Sequence, residues 1–493
     1  MAETNAAYDP YALPPEEVRD PPKTLAAALC QIGPGIILAG TIVGSGELIL
    51  TTSLGAQYGY IFLWLILFSC VIKVFVQVEL GRYAISSGRP TLGALNELPG
   101  KINGLGVHWL CWWWLLMMLC TTMQLGGMTA GVGQVLQYAM PGTTEISTAT
   151  LDAVIPGGRR IVEARPEIVW AILTCLATMA LIYRGSYRRI EWLTTVIVVT
   201  VTTITVVAVI ALNWTAFPVR FQELLTGFEF QIPPEGQMAA FAVFGITGVG
   251  ATELFYYPYW CLEKGYARYT GKYDGTPEWE ERARGWIRVM QLDAWVSMLV
   301  FTISTASFYT LGAAVLKPQG LNPQGTALID TLAQMYVGPF GPWTRTLFLI
   351  GAGAVLFKTL YLACAANSRL AADFLILGGF ANGSSSEYRL RLIRRLCLGF
   401  PLLSLTCYLF LQDPQLLVKI GGIAQASTLP MIAIVALYFR YRKVREGLRP
   451  HPVVDGLLWV AVLSITFVAL YVVPSQIREL LKFLNSLFGN SVT

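Results

Sequence analysis

The chain has 493 residues, of which 55% are hydrophobic and only 13% charged. A soluble domain carries roughly twice that charged fraction, so the composition excludes an ordinary water-soluble protein and predicts an integral membrane protein. The net charge of +5 gives no reason to expect nucleic acid or a protein partner, because the basic residues fall in alternate loops; membrane lipid is the partner the composition implies.

Residues 1–24 are polar and proline-rich, without the apolar core of a cleaved signal, and read as a cytoplasmic tail. Apolar runs then follow at about 27–55, 59–86, 107–138, 167–184, 188–213, 237–261, 288–316, 341–370, 393–411, 415–441 and 454–475. Each approaches the ~20 residues that span roughly 30 Å of hydrocarbon. They predict one transmembrane domain over 25–476, followed by a tail at 477–493 whose apolar residues have helical spacing. Basic residues crowd alternate connections, among them Arg82, Arg89 and Lys101, then Arg184, Arg188 and Arg189, then Lys264 to Arg288, Arg389 to Arg395, and Arg440 to Arg449. The positive-inside rule places those loops and the N-terminus in the cytoplasm and the C-terminus outside, as in a multi-pass protein of a bacterial inner membrane. The polar connection from Pro141 to Pro166 is then external. No G-x-x-x-x-G-K-[ST] loop occurs, which argues against a single-chain ATP-driven pump. The nine cysteines form no C-x-x-C pair and lie almost entirely in apolar runs, where they read as small packing residues. Neither disulfide, zinc site, cofactor nor nucleophile–base pattern is expected, so the chain does not read as an enzyme.

Two stretches nearly repeat each other. Val43-Gly44-Ser45-Gly46-Glu47-Leu48 lies in the first run and Val249-Gly250-Ala251-Thr252-Glu253-Leu254 in the sixth. Each puts small residues and a carboxylate in mid-membrane. Unwound backbone at that depth survives only where it lines a cavity or is buried in protein. A matched pair of interrupted spans points to the binding site of an inverted-repeat transporter. Glu47 and Glu253, with the carbonyls around Gly44 and Ala251, would form an oxygen-only cage suited to a hard divalent ion or an organic ammonium. The same acids would also serve to neutralise a buried lysine, and Lys358 in the eighth run is the first partner to consider. Gln425 and Thr428, just ahead of Leu429-Pro430, read as cavity liners beside a kink. Gln124 lies in the third run. Lys73 and Glu79 read as structural, with Lys73 reaching toward the interface. Asp293, within about two turns of the inner end of its span, reads as hydrated.

Gly33-Pro34-Gly35, then Gly55-Ala56-Gln57-Tyr58-Gly59-Tyr60 and Leu63-Trp64, resemble the first-span region of the Nramp family (natural-resistance-associated macrophage proteins) of divalent metal transporters. Gln77 with Arg82 to Gly88, Tyr187-Arg188-Arg189-Ile190-Glu191, Gly250-Ala251-Thr252 and Leu429-Pro430 continue the likeness. The resemblance implies an all-α, LeuT-type fold: inverted five-helix repeats over about 27–213 and 237–441, broken first and sixth helices, and an eleventh helix. It also shows departures. The family's Asp-Pro-Gly-Asn is here Gly44-Ser45-Gly46-Glu47, its metal-binding methionine is Leu254, its histidine is Tyr256, and Tyr257 follows. Third-span acids tied to proton movement correspond to Gln124 and Gly127. A thioether helps select transition metals over hard cations, and Leu254 has none.

These readings converge on a secondary transporter that moves a cation by alternating access, a hard divalent ion (Mg, Mn or Ca class) first, without the family's usual proton coupling. A small organic solute, an amine or amino acid lined by Tyr256 and Tyr257, is the alternative within the same fold. A non-transporting membrane protein with a Glu–Lys locked centre is the third.

Overall fold

The computed structural model describes residues 11, 13–102, 104, 106–140, 165–183, 187–382 and 385–488. Most of the polar connection predicted to be external, the first ten residues and the last five lie outside them. Every helix or strand assigned within the described residues is helical. Among the described residues ten helices are long and apolar enough to cross a membrane, and Glu167–Tyr183 is a shorter apolar helix.

In chain order the first span is α1 (Pro34–Ile42) and α2 (Thr52–Tyr58), joined through a π-helical turn at Gly46–Thr51. Then come α3 (Leu63–Ser87), α4 (Trp109–Ala139), α5 (Glu167–Tyr183) and α6 (Tyr187–Ala211). The sixth span is α7 (Gln237–Ile246) and α8 (Ala251–Lys264). The rest are α9 (Pro277–Leu311), α10 (Thr344–Leu377), α11 (Ser386–Leu411), α12 (Pro414–Tyr438) and α13 (Pro452–Phe488).

Several boundaries differ from the hydropathy reading; α10 runs on to Leu377 and α11 starts at Ser386, each seven residues beyond its apolar run, and two other differences have a visible cause or consequence. α9 starts at Pro277 rather than near 288, because Thr276 accepts from Trp279 N as an N-cap and Pro277 is preset for the first turn; the charged 278–288 segment is helical but not apolar. α13 runs on to Phe488 without a break between span and tail.

The two broken spans sit at the centre. The spanning windows of the first and sixth are 94% and 89% buried, against 28% for those of α6, α11 and α13, so the outer helices meet lipid and the broken ones meet protein. Close approach there depends on missing side chains. A Cβ at Gly245 of α7 would stand 2.0 Å from Gly422 O of α12, and one at Gly422 would stand 2.6 Å from Ala242 O. Small residues at a helix crossing are the usual means of bringing membrane helices into contact.

Asp293 of α9 is fully buried rather than hydrated. Its Oδ1 accepts from Gly33 N at 2.9 Å and its Oδ2 from Gly35 N at 2.5 Å, with Tyr257 Oη 3.3 Å from Oδ2. The carboxylate thus caps the positive N-terminal end of α1, where both the free amides and the helix dipole favour an anion. Pro34 opens the helix at no hydrogen-bond cost.

At the end carrying the basic loops, Arg440 lies fully buried between Glu79 (3.1 Å) and Asp455 (2.6 Å), and Glu79 also pairs with Arg82 (3.2 Å). This ties α3 to α13 through the turn that ends α12. The segment before α1 straps the same end: Tyr11 donates to Glu263, Arg268 pairs with Glu17, and Trp286 Nε1 donates to Arg19 O.

Asp293→Ala leaves two buried amides without an acceptor. Each lost bond to a charged group costs about 1.5–3 kcal/mol, so the variant should unfold at a lower temperature than wild type in neutral detergent. Asp293→Asn, which keeps one carbonyl acceptor, should fall between the two.

Candidate functional site

The two breaks are not alike. In the sixth span the chain leaves the helix completely from Thr247 to Gly250, with Gly248 at φ +64°, a left-handed conformation that glycine adopts without strain. A Cβ on Gly248 would also meet Cys70 Cα at 2.8 Å. In the first span only Val43 and Gly44 depart, and Leu48 N already donates to Gly44 O at 2.9 Å. The expected unwinding around Gly44 is therefore reduced to a kink and a widened turn. Gly44 is needed because a Cβ there would lie 2.3 Å from Thr359 Oγ1 of α10.

Each break ends a half-helix whose last carbonyls need donors. Both receive a lysine. Lys358 Nζ of α10 donates to Val43 O at 2.9 Å. Lys73 Nζ of α3 donates to Thr247 O at 2.8 Å and to Phe244 O, and lies 4.5 Å from the Phe244 ring centre. A cation at a helix C-terminus also meets the negative end of the dipole. Lys73 is fully buried and does not snorkel. Sequence reasoning missed it because a lysine's reach toward the interface and its reach toward an unwound carbonyl look the same in one dimension. Neither ammonium forms an ion pair with Glu47 or Glu253 among the described residues, so the Glu–Lys lock expected of Lys358 is replaced by lysine–backbone bonds.

The two carboxylates also part company. Glu47 is fully buried; Oε2 is 3.3 Å from Gly44 N and Oε1 accepts from Thr305 Oγ1 at 3.1 Å. Glu253 faces a small internal cavity of about 20 Å³, room for roughly one water. Its walls are Thr41, Thr121, Gln124, Thr252, Glu253, Tyr256, Thr359 and Asn367, with Leu125, Met128 and Ala363. Glu47 and Gly44 do not line it, and neither do Ala251, Leu254, Tyr257, Gln425 and Thr428. Gln124 and Tyr256 do. Tyr257 Oη instead meets Asp293 and Met290 O, and Thr428 accepts from Trp113 Nε1 at 3.1 Å.

Gln425 stands one step behind the wall. Its Nε2 donates to Gln124 Oε1 at 2.9 Å, and Gln124 Nε2 donates to Ser45 Oγ at 3.2 Å. Thr252 Oγ1 is 2.8 Å from Gln425 Oε1 and 2.7 Å from Glu253 Oε2, so its single proton serves one acceptor at a time. The series Ser45–Gln124–Gln425–Thr252–Glu253 thereby joins the first, third, tenth and sixth spans. On the opposite wall Tyr256 Oη donates to Asn367 Oδ1 at 2.8 Å. Thr41, Thr252, Thr305 and Thr359 were not foreseen; threonine is so common on membrane helices that only its position beside a break would have marked it.

No group of three or more His, Cys, Asp or Glu stands close enough to hold a metal ion among the described residues. A cation in this cavity would meet one carboxylate and several neutral oxygens. Such a donor set suits a hard ion that keeps part of its water shell.

The profile of the Nramp family, described as natural resistance-associated macrophage protein-like, matches residues 35–475. The chain belongs to the Nramp family. It is thus a member of a transporter family and not of an enzyme family. A variant of the manganese transporter of Eremococcus coleocola superposes with a TM-score of 0.63 at 16% identity, covering 97% of this chain and 91% of the other. Mhp1, a nucleobase-cation-symport-1 family transporter in a closed conformation with bromovinylhydantoin bound, gives 0.53 at 14% identity over 92% and 93%. MhsT in complex with L-phenylalanine gives 0.52 at 16% over 92% and 99%. These likenesses bear out the LeuT-type fold. The chain has no match among functionally curated proteins.

Lys358→Met removes the donor to Val43 O and a positive charge within electrostatic reach of Glu47. It should lower the unfolding temperature, and Lys358→Met with Glu47→Gln should recover part of the loss. Groups coupled in this way depart from additivity by about 0.5–3 kcal/mol; strictly additive losses in a thermal or denaturant series would show that the two charges act independently.

Proposed function

We propose that this chain is a secondary transporter of a hard divalent cation of the Mg, Mn or Ca class, working by alternating access between the two broken helices. The observation that carries the reading is the cavity at Glu253: one carboxylate among hydroxyl and amide oxygens, with room for about one water. A hydantoin- or phenylalanine-sized solute would require the lining to separate; a small cation with part of its hydration shell needs much less. Family membership and the fold shared with a manganese transporter support the same class of cargo.

Glu253 is the proposed direct ligand, with Gln124, Thr252 and Asn367 as neutral oxygen donors around it. Glu47, its oxygens turned to Gly44 N and Thr305, acts as a second negative charge that favours a cation electrostatically. Gly44 and Ala251 shape the breaks more than they offer ligands, since Gly44 O already accepts from Leu48 N. Leu254, completely buried, stands where the family's thioether would be. That supports selection by charge and hydration rather than by softness. Tyr256 replaces the family's histidine and Gln124 a third-span acid. These exchanges support transport without the family's usual proton route. The basic loops support the N-terminus in the cytoplasm.

Purified protein in vesicles should take up Mg²⁺, Mn²⁺ or Ca²⁺ above the rate of empty vesicles. Glu253→Gln should reduce uptake at least tenfold, a ligand's loss, while Glu47→Gln should raise the half-saturating concentration with a smaller effect on the maximal rate. Imposing a pH gradient should leave the uptake rate unchanged. Wild-type rates no better than empty vesicles for all three ions, with stabilisation by an amine or amino acid instead, would favour the organic-solute reading.

A further inference from the structure

A second polar cavity lies away from the broken helices, at the end where the basic loops gather. It measures about 190 Å³ and is lined by Arg82 of α3, Arg284, Arg288 and Gln291 of α9, and Arg449 with its neighbours 447–450 ahead of α13. Four arginines therefore line one space, and no Asp or Glu is among its lining residues. Part of this charge is held from behind. Arg82 Nε pairs with Glu79 and its Nη1 donates to Leu448 O at 2.9 Å. Arg284 Nε donates to Gly447 O at 2.6 Å and its Nη2 meets Glu280 at 3.1 Å. Arg449 Nη2 donates to Tyr441 O at 3.2 Å and Nη1 lies 3.7 Å from Glu446.

Arg288, exposed about three turns into α9, forms no ion pair among the described residues. Like charges gathered around one space raise the cost of one another, and an anion with several acceptor oxygens lowers that cost.

We propose that this cavity is a binding site for a phosphate group, held by Arg82, Arg284, Arg288 and Arg449. Phosphate matches the planar donor fork of arginine and accepts bidentate bonds. The groups that hold it belong to α3, to α9 and to the chain between α12 and α13. Occupancy therefore adds a further tie between elements already packed together and joined through Arg440, Glu79 and Asp455. The phosphate comes either from the headgroup of an anionic lipid or from a soluble phosphate. Both sources present the same oxygens.

The test uses the full-length protein in neutral detergent, followed by its unfolding temperature. One arm adds inorganic phosphate against sodium chloride of equal ionic strength. The other adds phosphatidic acid against phosphatidylcholine at equal lipid content. A rise of roughly 2–4 °C at saturation is expected in at least one arm. A rise with inorganic phosphate identifies a soluble ligand as sufficient, and a rise with phosphatidic acid alone identifies a lipid headgroup. Arg288→Gln, which breaks no ion pair, should remove at least half of the rise without lowering the basal unfolding temperature. Arg449→Gln serves as the second variant. No rise in either arm, or a full rise retained in the Arg288→Gln/Arg449→Gln double variant, overturns the proposal.

Discussion

The fold turns on a problem of backbone hydrogen bonding in a place without water. Breaking two helices inside a bundle frees carbonyls that hydrocarbon cannot satisfy. Here a lysine from a neighbouring helix answers each break: Lys358 at Val43, and Lys73 at Phe244 and Thr247. The opposite end of α1 carries the complementary device, Asp293 on the amides of Gly33 and Gly35. A half-helix of nine residues is thus held by charge at both ends, negative on its amides and positive on its carbonyls. That arrangement lets α1 persist as a unit distinct from α2, which is the property a moving element in an alternating-access protein requires.

The polar series from Ser45 to Glu253 depends on those fixed ends. Gln124 and Gln425 each use an amide donor and acceptor across helices, and such a series holds only if each helix keeps its depth and rotation. Glycines allow the approach: a Cβ at Gly421 would lie 2.7 Å from Gln124 Oε1, and one at Gly250 would lie 2.4 Å from Gln425 Oε1. Packing and hydrogen bonding are therefore one constraint here. Enlarging either glycine removes the space that the amides occupy.

Much of the architecture was legible in one dimension. Hydropathy gave the spans because the hydrocarbon thickness imposes a length, and glycine beside a carboxylate gave both breaks because few other patterns tolerate that depth. The site was legible only in part. Glu47 and Glu253 sit in near-identical hexads, but Gly44 is followed by an immediate return to helical bonding whereas Gly250 ends a four-residue gap. The difference comes from tertiary packing, Thr359 against Gly44 and Cys70 against Gly248, and no local sequence signal encodes it. Lys73 and Asp293 were misread for a related reason. Distance from a span's end suggests water, but both groups meet backbone atoms of a broken helix supplied by another part of the chain. The extent of α9 was misread because a capped, charged helix carries no hydrophobic signature in its first turns.

The charges at the centre constrain what transport must involve. Glu47 and Glu253 carry two negative charges when ionised, and Lys73 and Lys358 two positive ones, so the set balances with the cavity at rest. Lys73 lies within electrostatic reach of both carboxylates and Lys358 of Glu47. A divalent cation beside Glu253 would add two charges to a neutral set in a medium of low dielectric, where uncompensated charge is expensive. On the proposed reading, loading would be accompanied by a weakening of the lysines' hold, through withdrawal of an ammonium or separation of the helices that carry it. Because those ammoniums are also the donors that satisfy the broken backbone, displacing them frees the ends of α1 and α7. On the proposed reading, cargo binding and release of the half-helices would then share one electrostatic origin.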